Sequence, residues 1–157
     1  DRFCQGKETP PYLVLAGGKG WLDSGIYKKA EELGRGDLVK FTEYVPDEML
    51  CPLMCGALAF VFPSIYEGFG MPPLEAMACG VPVLTTHAAS LPEVVGEDAV
   101  VTDPYSPEDI AAGLERLYTD EALRQRLKAA GPKRAAQFTW ERSAEQLYAV
   151  YQEACRE

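Results

Sequence analysis

Five short apolar runs, separated by turn-forming residues and helical stretches, most constrain what this chain can fold into. They are residues 12–16, 38–42, 57–62, 81–85 and 99–102. Run 57–62 is apolar at every position, the pattern of a central parallel strand covered on both faces. Run 12–16 reads as a buried strand entering the glycine loop Gly17-Gly18. Parallel neighbours need crossover connections rather than hairpins. The expected fold class is therefore α/β, a parallel sheet with helices on both faces, whose ligands sit at the carboxyl ends of the strands.

The intervening segments supply the crossovers. Residues 23–33 read as a helix with Asp23 or Ser24 as N-cap and Gly34 as its stop. A short helix is expected from Pro46-Asp47 to about Cys55, another from about Pro72 to Cys79 closed by Gly80, and a brief one from Ser90. After residue 102 the pattern turns helical. Ser106-Pro107 caps a helix with Ile110, Leu114 and Leu117 at helical spacing. A second helix carries Leu123 and Leu127. A third starts at Thr139, and its stripe of Leu147, Val150, Tyr151 and Ala154 is expected to pack on this domain.

The 157 residues fit one domain, and no second-domain linker is visible. A net charge of −9 argues against nucleic acid or anionic lipid as a main partner, since either requires a basic face. No apolar run reaches membrane-spanning length, and there is no leader pattern at the start. The first residue is Asp1 rather than Met, so a processed or excised segment is one reading. Five cysteines without a regular framework read as reduced, packed thiols, and the expected compartment is cytoplasmic. Cys51 and Cys55 share a helix face, but a metal site needs further ligands and the lone His87 is distant in sequence. No metal and no cofactor are expected.

The chemistry concentrates in Pro63-Ser-Ile-Tyr-Glu67-Gly-Phe-Gly70-Met-Pro-Pro-Leu-Glu75. Here a strand ends, two glycines follow, and a helix begins with prolines in its first turn. Glycines let backbone approach a ligand closely, and the amides of a helix start attract anions. The prolines remove donors, leaving Gly68, Phe69, Gly70 and Met71 as contributors. Glu67 and Glu75 would repel phosphate alone, but they suit a ligand whose hydroxyls flank a phosphate. A nucleotide-diphosphate sugar has that layout. On these residues alone a plainer reading stands equally: Glu75 complements the helix dipole and Glu67 is solvated.

The segment resembles the E-x7-E motif of retaining glycosyltransferases of the GT-B fold, in family 4 (glycosyl transferases group 1). Residues Ala76-Met-Ala-Cys-Gly80-Val-Pro-Val, Ser90-Leu-Pro-Glu-Val-Val95 and Phe138-Thr-Trp-Glu-Arg142 are similar too, so the likeness runs from about Pro11 to about Tyr151. Gly17-Gly-Lys-Gly-Trp21 and Tyr44-Val-Pro-Asp-Glu48 look most like the mannosyltransferase branch. The resemblance implies the C-terminal half of a GT-B fold, a Rossmann-like parallel sheet with a helical tail. It implies GDP-mannose as donor, then a UDP-sugar, and retaining transfer to an unknown acceptor in polysaccharide or glycolipid synthesis. Glu67 would bind the transferred sugar and matter most for turnover, and Glu75 would hold the ribose. The amides of Gly68, Phe69, Gly70 and Met71 would hold sugar and diphosphate, Ser64 would line the crevice, and Val45 and Gly17 would border the base. Gly80 reads as a helix stop.

Two parts of that family pattern are missing. A strand and a basic loop that clamp the diphosphate should precede run 12–16, yet only eleven residues do. Lys19 is the nearest substitute, against the plain reading of a surface turn lysine. The acceptor domain is also missing. The expectation is a donor domain cut on its N-terminal side, inactive in transfer by itself, with membrane association left open for a full enzyme. The alternative is an inactive nucleotide-sugar-binding or partner module. Surfaces once covered by missing parts would then be apolar and prone to self-association. A dinucleotide-binding enzyme fits less well, because Gly17-Gly-Lys-Gly-Trp-Leu lacks G-x-G-x-x-G. His87 at a strand end reads more readily as a surface residue than as a ligand contact.

Overall fold

The computed structural model describes residues 2–18, 24–34 and 36–156, apart from the side chain of Ser24. The N-cap readings for Asp23 and Ser24 lie outside the described residues and side chains. The chain forms two compact units, Asp1–Leu53 and Met54–Glu157.

In the first unit, β1 (Leu13–Ala16) runs parallel to β2 (Val39–Glu43), with Leu13 opposite Val39. Helix α1 (Ser24–Glu32) makes the crossover that this pairing requires, and Tyr27 stacks on Phe41 at 4.3 Å. Gly34 ends α1 with φ 60°, as its position suggests. The expected burial of β1 does not hold. Tyr12 is 66% exposed, and Leu13 and Val14 are exposed beside it. Two strands and one helix present too little surface to cover both faces. An apolar hollow of about 450 Å³ opens among Leu13, Leu15, Ile26, Leu33, Leu38 and Val39.

The boundary between the units falls within α2 (Asp47–Cys55), whose last residues open the second unit. There β3 (Phe60–Val61), β4 (Val83–Thr86) and β5 (Val100–Thr102) form a parallel sheet in that order. The central strand is thus β4 rather than β3, because β4 pairs on both sides and all four of its residues are buried. Its side chains alternate between two cores. Val83 joins Ala76, Met77, Val81 and Val95 on one face, and Leu84 joins Val100, Leu117 and Leu127 on the other.

Helices α3 (Met71–Ala78) and α4 (Leu91–Val95) supply the first core; α5 (Pro107–Thr119) supplies the second. Helix α6 (Glu121–Ala135) contributes to both through Leu127 and Ala135. Ser106 and Asp120 cap α5 and α6 by accepting the amides of Asp109 and Leu123. Gly131 of α6 crosses α3 so closely that a Cβ there would lie 3.0 Å from the Met77 carbonyl oxygen.

Two further expectations are corrected. Helix α7 (Trp140–Ala154) is capped by Thr139, which accepts the Arg142 amide at 3.1 Å, but it buries none of its residues. Trp140 is 83% exposed, and Leu147, Tyr148, Val150 and Tyr151 are exposed too. Its apolar stripe therefore does not pack on this unit, whose two cores are closed by α3 to α6. The cysteines are not buried either. Cys51, Cys55 and Cys155 are exposed, while Cys4 and Cys79 are half-buried. None of the described helices is long and apolar enough to cross a membrane.

These assignments separate two substitutions of the same type. Leu84→Ala should lower unfolding free energy by about 2–5 kcal/mol, because the cavity lies in a closed core. Leu147→Ala should change it by less than about 0.5 kcal/mol. Urea denaturation of both variants checks this, and a large loss at Leu147 would show that α7 is packed after all.

Candidate functional site: the Glu67–Glu75 loop and helix

Strand β3 hands the chain to the loop by a set of hydroxyl bonds from its neighbours. The Phe62 amide donates to the Leu84 carbonyl at 2.9 Å, and Thr85 Oγ1 donates back to the Phe62 carbonyl at 3.0 Å. Thr86 Oγ1 donates to the Ser64 carbonyl at 2.6 Å, and Thr102 Oγ1 donates to the Thr85 carbonyl at 3.0 Å. All three threonines are buried. Buried hydroxyls are costly unless bonded, so each fixes the backbone it meets.

The loop itself is then pinned from two sides. Ser64 Oγ lies 3.0 Å from Glu67 Oε1 and 3.0 Å from the Tyr66 carbonyl. One hydroxyl proton serves one acceptor at a time, and a carboxylate is the stronger of the two. Ser90 occupies the N-cap position of α4 without capping it. Its hydroxyl reaches the carbonyls of Glu67 at 3.2 Å and Phe69 at 3.0 Å. The Phe69 ring meets Phe138 edge-on at 5.7 Å.

Gly70 joins loop to helix. It has φ 101° and ψ 52°, and a Cβ there would lie 2.7 Å from Leu91 Cδ2. The left-handed backbone favours glycine here, and a Cβ would also oblige the Leu91 methyl to shift. Gly68 differs: its φ is not left-handed, and a Cβ would meet nothing within 4 Å. Nothing in the described fold demands glycine at Gly68. Helix α3 follows with Pro72 and Pro73 in its first turn and buries Pro73, Leu74, Ala76 and Met77. Met71 and Glu75, one turn apart, share its exposed side.

Ser64, Glu67, Gly68, Phe69, Gly70, Met71 and Glu75 thus belong to one strand–loop–helix unit. Glu67 is half-buried and Glu75 exposed. Gly17 and Val45 lie in the first unit. Gly17 follows β1 with φ 144° and donates its amide to the Glu43 carbonyl at 3.0 Å, and Val45 is half-buried after β2. Lys19 lies outside the described residues. His87 is exposed at the end of β4, with Nε2 3.8 Å from Asp103 Oδ1, as a surface histidine would be. Sequence reasoning missed the threonines and the bridging role of Ser90. The signal for them was the set of hydroxyl residues at adjacent strand ends, Thr85-Thr86, Ser90 and Thr102.

With this geometry in place, comparison with known proteins decides the family. Residues 2–134 match glycosyl transferases group 1. The chain belongs to that family. O-antigen chain mannosyltransferase B of Escherichia coli is 42% identical over 139 residues, which are 88% of this chain and 36% of that protein. The chain thus spans about a third of that relative's length. Sucrose-phosphate synthase from Thermosynechococcus elongatus superposes with a TM-score of 0.79 at 30% identity, over 92% of this chain and 38% of that one. HepE of Anabaena, solved in complex with UDP and glucose, gives 0.78 at 23% identity, over 92% and 41%, a likeness of fold. The parallel α/β fold with a helical tail, expected as half of a GT-B fold, is borne out.

Gly70→Ala tests whether the loop is built as described. A left-handed backbone costs a non-glycine residue about 1–2 kcal/mol, and the contact with Leu91 adds to it. Stability should fall by at least about 1 kcal/mol, with faster amide exchange over residues 67–71. Gly68→Ala should leave both nearly unchanged.

Proposed function

We propose that this chain is the donor-binding part of a retaining glycosyltransferase, taking GDP-mannose in preference to a UDP-sugar. The observation that carries this reading is the loop, where a carboxylate is oriented by Ser64 beside the amides that open α3. Amides in a helix's first turn have no acceptor within the helix, and Pro72 and Pro73 carry no N–H to donate. The amides of Gly68, Phe69, Gly70 and Met71 accordingly hold the sugar and diphosphate. Glu67 accepts hydroxyls of the transferred sugar, and Glu75 accepts those of the ribose. Val45 and Gly17 border the base, and Lys19 is the cationic candidate for the phosphates. The openness at Gly68 supports close approach of a ligand to the backbone there.

The preference for mannose rests on the likeness to O-antigen chain mannosyltransferase B, and the UDP alternative on HepE. We place the acceptor-binding domain outside these 157 residues, with transfer, for instance in polysaccharide synthesis, requiring it. The share of the relative that this chain spans supports that placement. Retention at the anomeric carbon follows if the incoming hydroxyl attacks on the face the diphosphate leaves, with the departing oxygen accepting its proton. Glu67 then holds the sugar in the reactive orientation, which makes it the residue most critical for turnover. No metal ion is assigned to this step, and cytoplasmic nucleotide sugars are the donor supply.

Titration with GDP, UDP, GDP-mannose and UDP-glucose tests the division of labour. Hydrogen bonds to a charged group contribute about 1.5–3 kcal/mol, about 10- to 150-fold in affinity. Glu75→Ala should weaken all four ligands by that factor. Glu67→Ala should weaken the sugar nucleotides alone. Equal losses for sugar nucleotides and bare nucleotides in Glu67→Ala would refute the assignment of that residue to the sugar.

A further inference from the structure

A second cluster of reactive groups lies at the other end of α3. Cys79 follows the last residue of that helix, and Cys55 ends α2 just before β3. Their sulfurs are within 4.8 Å of each other, and the Cys55 thiol reaches the Cys79 carbonyl at 3.7 Å. Cys79 packs against the first core together with Met54 and Ala57, so the end of α2 and the end of α3 are held side by side. Cys51 and Cys55 are exposed and Cys79 is half-buried, which leaves the sulfurs open to an ion from solvent.

The spacing suits metal ligation. Two thiolates on a tetrahedral zinc ion, each at about 2.3 Å, stand about 3.8 Å apart. Small side-chain rotations bring the present pair to that separation. Soft thiolate sets select zinc, cadmium and monovalent copper over hard cations. We propose that Cys55 and Cys79 form a thiolate site for a soft metal ion. The eight-residue α3 (Met71–Ala78) is about 12 Å long. The ion would therefore clamp the end of α3 remote from Gly70 and take no part in sugar transfer. The sequence alone hid this site, because Cys79 joins the pair only through the fold.

Titration of the reduced chain with Cd²⁺, read by thiolate-to-cadmium absorption in the ultraviolet, tests the site, with Zn²⁺ calorimetry alongside. One ion per chain is expected. Outer partners of metal ligands cost about 10- to 100-fold in affinity when removed, so Cys55→Ser and Cys79→Ser should each cost at least that much. Cys4→Ser and Cys155→Ser should bind as the parent does. Zn²⁺ should raise the melting temperature of the parent and of these two controls, but not that of Cys55→Ser or Cys79→Ser. Circular dichroism identifies any variant that fails to fold, and Cys→Ala at the same position then replaces it. Parent-like affinity in both folded site variants, loss shared by the controls, or no saturable binding by the parent would overturn the proposal.

Discussion

Strand β4 is the constraint on which the rest of the second unit depends. It is buried on both faces and paired on both edges, so its side chains and backbone have a single accommodation. Val83 and Leu84 commit it to two different cores, and a slip by one residue would exchange them. The register continues into Thr85 and Thr86, whose hydroxyls meet the backbone of Phe62 and Ser64. A buried core therefore determines where the loop begins. The position of the Glu67 carboxylate then follows from Ser64, three residues further on.

Much of this was legible in the sequence because it is local. The alternation of apolar runs with helical segments, the Ser106 and Thr139 caps, and the glycine–proline entry into α3 are all read within a few residues. What escaped depends on partners distant in the chain. Ser90 reads from its neighbours only as the start of a brief helix, yet its hydroxyl serves carbonyls more than twenty residues earlier. Cys79 meets Cys55 across 24 positions. Exposure is likewise not a local property. Residues 12–16 and the α7 stripe are as apolar as a core segment, and only the supply of covering surface decides their fate. Run 57–62 looked central for the same reason, while pairing on both edges belongs to β4.

Three arginines of the second unit are engaged with backbone, and one of them bears on the loop. Arg134 donates to the carbonyls of Val94 and Glu93 and to Gln137, meeting the carboxyl end of α4 where a positive charge is favoured. Arg124 holds the carbonyls of Leu117 and Tyr118 at the end of α5, and Arg142 that of Gln137. These guanidiniums tie helices to one another. Arg134 also stands 5.1 Å over the Phe138 ring, whose edge-on contact with Phe69 carries the tie to the loop.

The loop is ordered largely through bonds to its carbonyl oxygens. Ser90 and Thr86 donate to carbonyl oxygens of the loop, the groups that would repel phosphate. Ser64 orients one oxygen of Glu67 while the carboxylate keeps further acceptor sites. Preorganisation of this kind lowers the ordering cost of binding. On the proposed reading it separates two contributions to affinity, the grip of carboxylates and amides on hydroxyls and oxygens and the attraction of positive charge, and residues 67–75 carry no Lys or Arg for the second.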